Sequence, residues 1–147
     1  MPEAPPQILL VTPVWKDSSR LAVYGMELAR ALAASPLAIR WVIADDGSGE
    51  AERARLNELC DLLAEIYPNV EVDFAERHLG KGSTVKRAWA LAPDAEWLAF
   101  VDADGSVTAE DMLEAMIYLV ESKRKNGFDE DPILTTTTTP KPIVGWR

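Results

Sequence analysis

Apolar residues along the chain follow two alternating patterns. Ile8-Leu9-Leu10-Val11 is a short, unbroken apolar run ending at Thr12-Pro13, as in a strand buried on both faces. Asp17, Ser18 and Ser19 then offer helix caps, and Leu21, Tyr24, Leu28 and Leu32 recur at helical spacing. A second strand is predicted over Leu37–Ala44, ending in Asp45-Asp46-Gly47-Ser48. The next helix carries Leu56, Leu59, Cys60, Leu63 and Ile66 on one face until Pro68-Asn69 breaks it. Val70, Val72 and Phe74 alternate with Glu71 and Asp73, a half-buried strand pattern. Gly80 to Gly82 forms a turn, and Val85, Ala88, Trp89 and Ala92 mark a third helix. Trp97 to Val101 is another apolar strand, running into Asp102-Ala103-Asp104-Gly105. Thr108, with Asp111 in the capping-box position, opens a fourth helix with Met112, Leu113, Met116, Ile117 and Val120 on its apolar face.

Repeated strand–helix alternation predicts an α/β fold, a mostly parallel sheet with helices on both faces. Past Lys123 the character changes. The stretch 123–142 is polar and Thr-rich, with a threonine run at Thr135–Thr139, and is expected to be flexible. Ile143-Val144-Gly145 begins another strand. Residues 1–147 therefore read as a single unit whose sheet is incomplete at its C-terminal end.

The length of 147 residues suits one domain with a sizeable core. A content of 48% hydrophobic and 27% charged residues excludes disorder over most of the chain. With 15 Lys plus Arg against 24 Asp plus Glu, the net charge of -9 argues against nucleic-acid binding through a broad basic face. The one cysteine, Cys60, excludes an intrachain disulfide and a multi-thiolate zinc site, and its leucine neighbours place it in the core. No apolar run approaches the ~20 residues of a transmembrane segment. Met1–Gln7 lacks the basic start and apolar centre of a signal peptide. A cytoplasmic, soluble protein is expected.

Ligands of open parallel sheets bind beyond the carboxyl ends of the strands. Four polar clusters fall there: Trp15–Asp17, Asp45–Ser48, His78–Ser83 and Asp102–Ser106. Asp102 and Asp104, leaving a buried strand two residues apart, can both reach Mg²⁺ or Mn²⁺, which prefer oxygen ligands and share coordination with phosphates. They can equally close a turn before the next helix. An EF-hand does not fit, because its sixth position, counted from Asp102, is Val107 rather than glycine. Asp45-Asp46-Gly47-Ser48 can accept hydrogen bonds from a base or ribose, or simply form an Asx turn. Gly80-Lys81-Gly82-Ser83 fails the P-loop pattern, since Gly82 stands where a hydroxyl is needed. Lys81 at a helix start could still meet a diphosphate, and a plain loop-to-helix turn is the equal alternative. His78, the only histidine, has no nucleophile beside it and reads as loop packing. Trp41, Trp89 and Trp97 read as core, whereas Trp15 at a strand end could stack on a ligand.

Taken in order, these clusters resemble the nucleotide-sugar half of a family 2 glycosyltransferase of GT-A fold, a Rossmann-like nucleotide-diphospho-sugar transferase architecture. Pro13-Val14-Trp15-Lys16-Asp17, Asp45–Ser48, Gly80–Gly82 and Asp102–Asp104 match the family's successive motifs. The pairing of Gly-Lys-Gly with Asp-Ala-Asp-Gly looks most like the branch making polyprenyl-phosphate sugars. The resemblance covers Ile8 to Val120 and extends to a next strand at Ile143–Arg147. It implies that Pro13, Trp15 and Asp17 line the nucleoside pocket, that Asp46 binds the base, and that Lys81 lies near the nucleotide. Asp102 would approach the ribose or the metal, and Asp104 would ligate the metal, Mg²⁺ or Mn²⁺. The implied donor is a UDP- or GDP-sugar and the implied acceptor a hydroxyl or a polyprenyl phosphate, which would put the protein at the periphery of a membrane. His78 departs from the family's usual Asn. The chain also stops before the acceptor half that carries the general base, so no catalytic base is assigned.

Other readings compete with it. Phe100–Val107 looks like the first motif of haloacid-dehalogenase-like phosphatases, with Asp102 as nucleophile and Asp104 as acid/base, although that motif normally follows the first strand. A non-catalytic nucleotide-binding domain is another. A nucleotidyltransferase would need its Gly-rich loop directly after the first strand, where Pro13–Asp17 stand.

Overall fold

The computed structural model describes residues 5–126 and 144–146. Its elements run β1 (Ile8–Val14), α1 (Ser18–Ala34), β2 (Ile39–Asp45), α2 (Glu50–Ile66), β3 (Val70–Phe74), α3 (Lys81–Trp89), β4 (Trp97–Phe100), α4 (Ala109–Asn126) and β5 (Val144–Trp146). They form one sheet of order β3-β2-β1-β4-β5. β1 to β4 are parallel, with Ile8 level with both Ile39 and Trp97, and β5 runs antiparallel to β4. The predicted α/β architecture, mostly parallel and covered on both faces, is the one observed.

The unbroken apolar runs are explained by two cores. Ile8, Leu10, Ile39, Trp41, Ile43 and Trp97 face one way, toward α1, α2 and α4. Leu9, Val11, Val42 and Ala44 face the other way, toward Val85, Ala88 and Trp89 of α3. Because side chains alternate along a strand, a central strand covered on both faces must be apolar at every position. Trp41, Trp89 and Trp97 are buried, as expected. Cys60 differs from expectation: it lies at the margin of the buried stripe of α2, only partly buried, with burial still raising its thiol pKa. Thr108 caps α4 by accepting the Asp111 amide at 3.1 Å. Of the stretch 123–142, Lys123–Asn126 belong to α4, and 127–142 lie outside the described residues.

Strand order decides where a site can form. The chain steps from β1 outward to β2 and β3, then returns to place β4 on the other side of β1. This reversal leaves a crevice beyond the carboxyl ends of β1 and β4.

Candidate functional site

All four polar clusters converge at that carboxyl edge. The first two are tied where β1 and β2 end: the Asp46 amide donates to the Val14 carbonyl at 2.9 Å and the Lys16 amide to Ser48 Oγ at 2.7 Å. Pro13, Val14, Trp15, Asp17, Asp46, His78 and Lys81 line a cavity of about 260 Å³. Five of the residues expected at a nucleoside site, Pro13, Trp15, Asp17, Asp46 and Lys81, are thus brought together by three loops distant in sequence.

The two aspartates of Asp45-Asp46-Gly47-Ser48 divide their work. Asp45 makes the Asx turn, accepting the Ser48 amide on Oδ2 at 3.1 Å. Asp46, only 3% exposed, anchors the third loop. Its Oδ1 accepts the Leu79 amide and its Oδ2 the Gly80 amide, both at 2.8 Å. His78 Nδ1 lies 2.8 Å from the same Oδ2. Burial pulls the Asp46 pKa upward, but the Leu79 amide, the nearby Thr84 hydroxyl, the Gly80 amide and His78 outweigh it and leave it lowered.

Gly47 makes that anchoring possible. Its φ is +73°, and a Cβ built there would stand 2.3 Å from the Arg77 carbonyl carbon and 2.5 Å from the His78 nitrogen. Both neighbours are backbone, so the loop itself must move. Gly47→Ala is expected to cost about 1–3 kcal/mol in left-handed strain alone. Denaturant midpoints should fall accordingly, and amide exchange at Leu79 and Gly80 should accelerate. An unchanged midpoint would refute the close approach.

His78, read from the sequence as loop packing, stands in the cavity wall. Its ring stacks on Trp15 with centroids 4.3 Å apart and planes 23° apart. Trp15 is 47% exposed. The one available signal was position, a histidine within a strand-end cluster. Arg20 was also missed. Its Nε lies 2.6 Å from Asp17 Oδ1, and its pKa is raised by that hydrogen bond and charge, and further by Asp104 and Asp102. Asp17 occupies the cap position of α1 but makes no side-chain cap bond. Its carboxylate turns to Arg20 instead.

Asp102 and Asp104 lie just past β4, next to this cavity. Lys81 Nζ, from the first residue of α3, sits 2.6 Å from Asp102 Oδ1. Asp104 Oδ1 accepts the Ser106 amide at 2.9 Å and the Ser106 hydroxyl at 2.5 Å. The Tyr24 hydroxyl is buried without a hydrogen-bond partner among the described residues, and its ring lies 3.5 Å from where a Cβ on Gly105 would be. Its pKa is raised by burial first, then by Glu27, Asp104 and Asp102. The loop is thus a region of concentrated negative charge that already draws an ammonium ion. No cluster of three or more His, Cys, Asp or Glu side chains suited to a metal occurs among the described residues. Two carboxylates two residues apart are oxygen donors of the kind that suit a hard divalent cation whose remaining shell is filled by phosphate oxygens and water.

A larger cavity, about 560 Å³, lies at the opposite, amino-terminal edge of the sheet beside Arg40, Asn69 and Glu71. The Arg40 guanidinium there is already committed to Glu71 at 2.5 Å and to the Leu91 carbonyl at 3.0 Å. Among the described residues, no helix is long and apolar enough to cross a membrane.

The same fold is found in proteins of known structure. The mannosyltransferase PcManGT from Pyrobaculum calidifontis, in complex with GDP-Man and Mn²⁺, superposes with a TM-score of 0.51 at 16% identity, over 69% of this chain and 28% of that one. S. aureus TarS 1–349 superposes with a TM-score of 0.59 at 20% identity, over 88% of this chain and 34% of that one. TarS 1–349 in complex with UDP-GlcNAc gives 0.51 at 19%, over 88% and 33%. At these identities the likeness shows the fold, which is GT-A. The chain spans about a third of the length of these structures. No curated protein sequence matches it. The glycosyl transferase family 2 profile matches residues 27–129, a span that takes in the Asp-Asp-Gly-Ser turn, the Gly-Lys-Gly turn and the Asp-Ala-Asp loop. That match covers most of the chain and displaces the phosphatase reading of Asp102: the chain belongs to glycosyl transferase family 2.

Proposed function

We propose that this chain forms the donor-binding part of a metal-assisted glycosyltransferase, which moves a hexose from a nucleoside-diphosphate sugar to an acceptor hydroxyl or phosphate. One observation carries the reading: the Trp15, Asp46, His78 and Lys81 cavity adjoins the Asp102–Asp104 loop at the switch point of the sheet. In this reading Pro13, Trp15 and Asp17 wall the nucleoside, with Asp46 behind them. Lys81 places a positive charge between nucleoside and carboxylates, where a diphosphate would lie. Asp102 and Asp104 would hold Mg²⁺ or Mn²⁺. Such a cation, when bound, offsets the charge gathering on the departing nucleoside diphosphate.

In the transfer itself, the bond from the sugar anomeric carbon to the diphosphate oxygen breaks with its electron pair. A bond to the acceptor oxygen forms, and the acceptor proton passes to a base. No described residue is assigned to that base. The polyprenyl-phosphate acceptor rests on the sequence motifs, as does a place at the membrane periphery.

The test is calorimetric titration of UDP- and GDP-sugars, with and without Mn²⁺, on the wild type and on Asp104→Ala. Binding is expected only with metal, and Asp104→Ala should weaken it at least tenfold. Metal-independent binding, or none with either nucleotide, would sink the donor-site reading.

A further inference from the structure

We infer that His78, and not Asp46, reads the nucleotide base, with Asp46 acting as the residue that positions it. This rests on the proposed donor site. Asp46 also borders the cavity, but it is only 3% exposed and its two oxygens already face two backbone amides and the His78 ring nitrogen. A base N–H would have to displace one of these. His78 presents the opposite case. Its side chain is 49% exposed and lines the cavity. Nδ1 is directed at the Asp46 carboxylate at 2.8 Å, with the Asp46 carbonyl at 3.3 Å. Two acceptors around Nδ1 place the proton there. In a neutral ring that leaves Nε2 as a hydrogen-bond acceptor on the edge away from Asp46. Trp15 covers one face of the imidazole, so the ring is braced and a base meets its edge, not that face.

An acceptor at this point selects by chemistry. Uracil and guanine carry a proton on the central nitrogen of their pairing edge, N3 and N1 respectively. Cytosine and adenine carry a lone pair there. A neutral Nε2 thus accepts a hydrogen bond from the first two and opposes the lone pair of the others. Sites built to hydrogen-bond one group discriminate strongly against ligands that leave it unpaired.

The experiment measures dissociation constants of UDP, GDP, CDP and ADP with Mn²⁺ at pH 8. It compares the wild type, His78→Asn and His78→Gln. The asparagine amide can replace Nδ1 on Asp46, so the loop stays seated, but it has no acceptor at the Nε2 position. The longer glutamine amide reaches that position with its oxygen. We expect the wild type to bind UDP and GDP about tenfold or more tightly than CDP and ADP. His78→Asn should bring all four within about threefold of one another with an unchanged melting temperature, and His78→Gln should restore part of the ranking. A wild type that binds all four alike, or an Asn variant that keeps the ranking or no longer binds any of the four, overturns the inference and leaves the donor site standing. A wild type that binds none of the four overturns the donor site itself.

Discussion

Asp46→Ala is expected to destabilise the protein by about 2–4 kcal/mol, because two backbone amides lose a charged acceptor at once and each such bond contributes about 1.5–3 kcal/mol. The upper part of the summed range is not reached, since the loop lies near the surface and water can take up part of the loss. For a chain of this size the melting temperature should fall by roughly 10 °C. The site should suffer more than the fold. Leu79 and Gly80 would no longer be held against the end of β2, and His78 would lose its Nδ1 partner. Nucleotide affinity should therefore fall with every base. A melt within about 2 °C of the wild type would refute the anchoring role. The same carboxylate predicts a pH dependence. Its folded pKa is lowered, so the unfolded chain binds the proton more readily. The stability it contributes is complete above the ordinary carboxylate value of about 4 and is lost as pH falls through the lowered folded value. Asp46→Asn should flatten that part of the stability–pH curve, and urea unfolding between pH 3 and pH 6 would show it.

The largest effect on the fold itself is expected from Trp41→Ala. Trp41 is fully buried between the sheet and its three-helix face, and its Nε1–H donates to Thr12 Oγ1 at 3.0 Å. Truncating a buried tryptophan to alanine costs about 3–5 kcal/mol. Leaving the buried Thr12 hydroxyl without its partner adds about 1 kcal/mol or more. Against a typical total of about 5–15 kcal/mol, the variant should stand close to unfolding. Trp41→Phe separates the two contributions, since it keeps most of the volume and loses only the hydrogen bond. Chemical denaturation should show lower midpoints in both variants, alanine far below phenylalanine, with unchanged slopes. Equal midpoints for alanine and wild type would contradict the packing described.

The consequences of these two substitutions differ in how far they could be foreseen. Trp41 is legible in the chain because Ile39 to Ala44 is apolar at nearly every position, and only a strand covered on both faces needs that. The same logic located β1 and β4, and the three-and-four spacing of Leu21, Tyr24, Leu28 and Leu32 located α1. Asp46 is legible only as one half of an acidic turn. Its sequence context does not distinguish an Asx turn from an anchor, and the structure shows that Asp45 makes the turn while Asp46 holds a loop 33 residues further on. His78 is the sharper case. Locally it is one polar residue in a loop, and nothing nearby in the sequence indicates that its ring stacks on Trp15.

The elements, the burial of the central strands and the four polar clusters at strand ends were all set locally along the chain, because periodicity records whether a position meets water and turn chemistry records where a strand must stop. The tertiary structure alone decided which clusters meet. Strand order is a long-range choice, and the return of the chain past β1 to place β4 opposite β2 leaves no trace in local spacing. That choice brings Lys81 to Asp102 and seats the His78 loop against Asp46. Of the excess negative charge, the tertiary structure placed Asp46 in a buried anchoring position and Asp102 and Asp104 at the carboxyl edge of the sheet, beside Lys81.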